Sequence, residues 1–213
     1  MSLRKKMAEK IARCREKLYL KGLRKRNKNI APSIICNNCV GGVISHNLGL
    51  RFNSPTVNLF IRQEDYLTFC GNLKDYLDAE LIECLDGDRP YPVGILRPSN
   101  HGLPGIKIFF QHYATFKEAK KKWEDRSSRV DFNNLFFIWE VYDSLTPMED
   151  VKTFDNLPIK KLIITHSGRP ELKNAVQVHC YENDMPIAQI LNYKGRSGKR
   201  YLEEVDYVSF LNS

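Results

Sequence analysis

The sequence predicts an α/β fold: a mainly parallel sheet flanked by helices, three-layered and Rossmann-like, preceded by a basic amphipathic helix. Three observations predict it. Short apolar runs alternate with helix-length amphipathic stretches, the pattern of βαβ units. The stretch from Ile30 to Ile61 reads as strand, tight polar turn, helix, loop, strand. The most hydrophobic strand, Leu135 to Val141, follows Asn133-Asn134 and is closed by Asp143.

A chain of 213 residues suits one domain with an appendage, here an arm at 1–28 and a single α/β domain at 29–213. No apolar run approaches the roughly 20 residues that span a bilayer. A charged N-terminus replaces the apolar segment of a signal peptide, so the expected compartment is the cytoplasm. Residues 1–28 carry twelve Lys/Arg against two Glu, whereas the other 185 carry 21 basic against 23 acidic residues. The body is therefore nearly neutral, and the high overall charge is no sign that it binds nucleic acid.

Within residues 2–26, Leu3, Met7, Ile11, Cys14 and Leu18 recur at spacings of four, four, three and four, a helical stripe among Lys and Arg. The leading expectation is packing on the body or a partner helix. An anionic membrane surface, at the inner face of the cytoplasmic membrane, comes next; nucleic acid is a distant third. Ser33 to Cys36 is the first strand. His46 falls in the helix after it, and Asn53-Ser54-Pro55-Thr56 lies in the loop before a second apolar run, Val57 to Ile61.

Gln63 to Asp78 reads as one helix, and Leu81 to Leu85 as a short strand. Asp86-Gly87-Asp88 makes a turn. Tyr91 to Leu96, interrupted by Pro92 and Gly94, reads as an edge strand or strand end. A loop at 97–105 precedes the strand Ile106 to Tyr113. Thr115 and Glu118 form a capping-box pattern that opens a helix through Trp123 and Arg126. Thr146 and Glu149 repeat that pattern. Lys161 to Thr165 and Val176 to Tyr181 read as strands, residues 192–200 as a basic loop, and Tyr201 to Ser213 as a short helix or edge element.

The motifs are individually weak. Cys36-Asn37-Asn38-Cys39 has redox spacing, but Asn fills both positions where thioredoxin-like motifs carry Gly or Pro. No second such pair exists for zinc. Asp86-Gly87-Asp88 has the form of a divalent-metal carboxylate pair, yet turn-rich chains produce it by chance. No metal site is assigned, and no cofactor is specified. Gly41-Gly42 would let a backbone approach a phosphate, but a tight turn is favoured. His46, His112 and His166 each fall near a strand end or helix start, and His112 and His166 could share one cleft. No G-x-S-x-G elbow is present.

Taken together, NNCVGG, NSPT, NLFI with Asp65 soon after, YPVG, IFFQHY, the helix bearing Trp123 and Arg126, and NNLFFI resemble a bacterial family of exopolysaccharide (capsular polysaccharide) biosynthesis proteins. The resemblance covers roughly residues 30–165; Val40 departs from it where an aromatic is expected. It implies surface-glycan assembly and, as the usual activity, a glycosyl or acyl transferase taking a sugar or an activated sugar or acyl donor. A non-catalytic scaffold of the same machinery is the alternative. It marks Asn37, Asn38, Gly41, Gly42, His46, Asn53, Ser54, Thr56, Asp65, His112, Tyr113 and Arg126. In the physical assignment that follows, His112 deprotonates an acceptor hydroxyl. Asp65 orients His46 or His112, the two Asn amides orient substrate, and Arg126 neutralises a phosphate or carboxylate.

Overall fold

The computed structural model describes residues 3–87, 89–180, 189–194 and 197–213. Asp88 of the acidic triplet, Tyr181 of the last expected strand, and residues 195 and 196 of the basic loop fall outside that set, as does the side chain of Leu3.

Among the described residues, eight strands form two sheets. Strands β1 (Ser33–Cys36), β6 (Leu135–Glu140), β7 (Lys161–Thr165) and β8 (Ala175–Gln177) pair in parallel in the order β1-β6-β7-β8. Strands β2 (Phe60–Ile61), β3 (Glu80–Glu83), β4 (Val93–Arg97) and β5 (Ile106–Phe109) make an antiparallel sheet, β2-β5-β4-β3. The parallel sheet matches the expected layering, but the protein is mixed. The antiparallel part arises because the connections at 84–92 and 98–105 are short, and short connections join neighbouring antiparallel strands. Strand β4 is internal, not an edge. Pro92 precedes its first residue, and Gly94 is where a Cβ would meet Leu81 and Phe116 at 2.7 and 2.9 Å.

Side-chain alternation sorts the parallel sheet into two cores. Ile34, Cys36, Phe136, Ile138 and Ile164 face one cluster, with Val40 and Ile44 of α2 (Val40–Leu48) and Val208 and Leu211 of α7 (Tyr207–Leu211). Ile35, Phe137, Trp139 and Ile163 face the other. There they meet Tyr66 and Phe69 of α3 (Gln63–Gly71), Phe154 of α6 (Met148–Asn156) and Leu96, Ile106 and Ile108 of the second sheet. A backbone bond links the two sheets: Ile61 N–H donates to Asn37 O at 2.8 Å.

Boundaries differ where tertiary contacts override local pattern. The run at Val57 to Ile61 supplies only the two-residue β2. The helix expected over 63–78 breaks at Asn72 into α3 and α4 (Leu73–Leu77). Thr115 does cap α5 (Phe116–Ser127), accepting from Glu118 N–H. Thr146 does not cap α6: Pro147 takes that position, and the Thr146 hydroxyl donates to Gln63 Oε1 at 2.8 Å.

The arm is a 24-residue helix, α1 (Leu3–Arg26). Its apolar stripe faces away from the body, with Met7 56% and Leu18 71% exposed and Ile11 and Cys14 also outward. A different face, Tyr19, Leu20 and Leu23, packs on the core that the parallel sheet shares with α2 and α7. Arg24 Nε donates to Asn47 O at 2.7 Å and Arg26 pairs with Asp206 at 2.9 Å, so the C-terminal turns are anchored.

Candidate functional site

A cavity of about 320 Å³ opens where the two sheets meet, at the C-terminal ends of β1 and β6 and beside β2. That is where open α/β sheets present ligand sites. Asn37, Asn38, Arg62, Gln63, Glu140 and Tyr142 are among its lining residues.

Glu140, the last residue of β6, is only 1% exposed. Its Oε2 accepts from the Asn38 amide, and its Oε1 lies 3.1 Å from His166 Nε2. His166 follows the end of β7, and its ring stacks on Tyr142 with centroids 5.6 Å apart. On its other side, Nδ1 lies 3.4 Å from the Cys180 Sγ. Burial and the Glu140 carboxylate push the Tyr142 hydroxyl far above its ordinary range. A buried carboxylate survives only with such partners.

Backbone bonds hold the carboxylate in place. Asn37 spans the β1 and β6 ends, donating to Glu140 O and accepting from Glu140 N–H, both at 3.0 Å. Gln63 also donates to Glu140 O, at 2.9 Å, while its own oxygen accepts from Trp139 Nε1 and Thr146. Asn38 Oδ1 accepts from Val40 N–H, fixing the start of α2 at the cavity wall. Both amides expected to touch substrate thus line the cavity, and each also carries the architecture.

The other expected site residues lie elsewhere. Gly41 and Gly42 sit inside α2, where an added Cβ would meet Cys36 Cβ at 2.9 Å and Val57 Cγ1 at 3.1 Å. They let the helix approach the sheet and do not face the cavity. His46 is exposed on the last turn of α2, whereas the cavity borders the first. His112 is exposed in a turn; its neighbour Gln111 lines the cavity instead. Asp65 is half-buried on α3 and does not line the cavity. Burial and Glu64 raise its pKa.

Asn53, Ser54, Thr56, Tyr113 and Arg126 belong to a loop-holding region. Asn53 is half-buried there. Thr56 Oγ1 accepts from Cys36 N–H at 3.0 Å, covering the free edge of β1, and pairs with Ser54 Oγ at 2.9 Å. Arg126 donates to Val57 O at 3.3 Å and to the Tyr113 hydroxyl at 2.6 Å, and lies over the Phe52 ring. Its guanidinium is spent on the loop. Arg62 lines the cavity, where it pairs with Glu64 at 3.3 Å and lies over the Phe109 ring.

Cys36 and Cys39 are free thiols. Burial pushes Cys36 up to about 12, and burial with Glu140 pushes Cys39 up to about 11, the reverse of an activated redox pair. Among the described residues no group of three His, Cys, Asp or Glu is arranged to hold a metal ion.

Sequence reading missed Glu140, Gln63, Tyr142 and Cys180. The available signal was a lone Glu closing an otherwise apolar buried strand, where charge is costly without a purpose.

Fold and site thus define an α/β protein with a buried carboxylate–imidazole pair beside a strand-end cavity. The chain belongs to the family described as "Domain of unknown function (DUF1919)", matched over residues 10–212. It is similar to an uncharacterized protein of Haemophilus influenzae, 35% identical over 191 residues, which covers 89% of this chain and 88% of that protein.

Proposed function

We propose that this protein is a transferase of surface-polysaccharide assembly, glycosyl or acyl, working in the cavity between the two sheets. The observation that carries the transferase reading is Glu140, a carboxylate buried against an imidazole at a cavity wall. Such a pair can take a proton from an acceptor hydroxyl and return it to a leaving group. Glu140 and His166 replace Asp65 and His112 in that role. Asn38 orients the carboxylate, and Arg62 meets the anionic part of the donor. The polysaccharide assignment is supported by the resemblance carried by NNCVGG, NSPT and IFFQHY.

The cytoplasmic membrane face is the workplace in this reading. The outward Met7, Ile11 and Leu18 among lysines and arginines suit an anionic lipid surface. Among the described residues no helix is long and apolar enough to cross a membrane. Isothermal titration with nucleotide sugars and acyl-CoA tests the catalytic reading: micromolar binding of one donor class supports it, and binding of neither leaves the scaffold. Co-sedimentation with phosphatidylglycerol vesicles tests the docking. Binding should fall about tenfold in Met7→Glu and with raised salt; undiminished binding of that variant removes α1 from the membrane.

A further inference from the structure

Three side chains from three successive strand ends form a chain that a general acid–base site does not require. Glu140 ends β6, His166 follows β7, and Cys180 lies three residues past β8. Nucleophile, base and orienting group within mutual reach is the arrangement of covalent catalysis. We propose that Cys180 is an acyl-carrying nucleophile, with His166 as its base and Glu140 as the positioning carboxylate, so that the protein transfers acyl groups from a thioester donor.

The geometry favours this division of labour. Glu140 engages one oxygen with Asn38 and the other with His166, which suits an orienting carboxylate better than an attacking one. When His166 donates its Nε2–H to Glu140, the Nδ1 lone pair faces the Cys180 thiol at 3.4 Å. The stacked Tyr142 ring fixes the imidazole plane and links the trio to the cavity that it lines. Glu204 accepts from His179 N–H at 2.9 Å and pins the residue before the nucleophile. Burial, with Glu140, pushes the Cys180 thiol up to about 11, so the thiol rests protonated and its proton moves only on attack.

In the first step the Cys180 S–H proton passes to His166 Nδ1 while sulfur attacks the donor's thioester carbonyl. The donor C–S bond breaks, and the donor sulfur leaves with that proton. In the second step an acceptor hydroxyl gives its proton to Nδ1 and its oxygen attacks the Cys180 thioester. The C–Sγ bond breaks and Cys180 regains a proton. No oxidant or reductant is needed.

This inference rests on the group-transfer reading above and narrows it to acyl donors. The test mixes the full chain with acetyl-, succinyl- and palmitoyl-CoA, quenches in acid, and reads intact mass and the modified peptide. A hydroxylamine-labile adduct on Cys180 of the unaltered protein is expected with at least one donor. It should be absent in Cys180→Ala, form about 100-fold more slowly in His166→Ala, and persist in Cys14→Ser. No adduct with any of the three, or an adduct only on another cysteine, overturns the proposal. Nucleotide-sugar binding without an adduct sinks this inference and leaves the wider reading standing; binding of neither class sinks both.

Discussion

Two buried polar clusters lie beside β1, and they differ in what they face. One, Ser54, Thr56, Tyr113 and Arg126, is closed: its groups are directed at one another, at backbone of β1 and at Val57 O. The other meets a cavity through Asn38, Gln63 and Glu140, and its carboxylate is held by Asn38 on one side and by His166, behind the cavity wall, on the other. Both contain residue types that chemistry uses. The difference teaches that a buried arginine or serine marks a loop that must be held, unless solvent-sized space adjoins it.

Substitution sharpens that contrast, and the largest effect belongs to the closed cluster. Arg126→Ala deletes the guanidinium's bonds to the Tyr113 hydroxyl and Val57 O and its contact with the Phe52 ring, leaving the Tyr113 hydroxyl donating to Val57 O at 3.0 Å, so stability in urea should fall by about 3 kcal/mol. Arg126→Lys should recover little, because one ammonium cannot reproduce the fork. Wild-type-like unfolding of Arg126→Ala would break the comparison. Glu140→Gln should act the other way. Its stability should move by about 1 kcal/mol or less, because the amide still accepts from Asn38. Transfer should drop about 100-fold, while His112→Ala leaves the rate unchanged. Equal losses in Glu140→Gln and His112→Ala would mean that the cavity is not the working site.

The smallest effect concerns acid. Burial raises the Glu204 carboxyl, but bonds from Lys194 and His179 outweigh it and hold the pKa down at about 2, from an ordinary 4.5. A carboxylate lowered on folding stabilises fully above its unfolded value. Its contribution is therefore present above pH 4.5 and fades as pH falls from 4.5 towards 2. Lys194 and His179 are largely exposed, so the loss should be slight. Unfolding midpoints of Glu204→Gln should converge with those of the unaltered chain by about pH 2; a gap that widens there refutes the assignment.

Regular elements were legible to the degree that local pattern governs them. Strands β1 and β7 lie where apolar runs bounded by polar residues placed them, and Thr115 caps α5 as its capping box requires. The second sheet was harder, because β2 pairs for only two residues and gains its place from the bond to Asn37. The site was half legible. Asn37 and Asn38 stood out as amides at a strand end. Glu140 looked like the end of a core strand, because nothing in the sequence announces a carboxylate's partners 26 and 102 positions away.

The order of residues by itself determined the alternation of strands and helices, the charge of the arm and the polar turn after β1, all set by propensity and periodicity over a few neighbours. Only the tertiary structure decided that Gly41 and Gly42 serve packing, that Arg126 holds a loop, and that the apolar stripe of α1 faces outward. It also decided that Glu140, His166 and Cys180 meet. Which polar group faces space and which faces another polar group depends on contacts between distant segments, and local pattern carries no record of them.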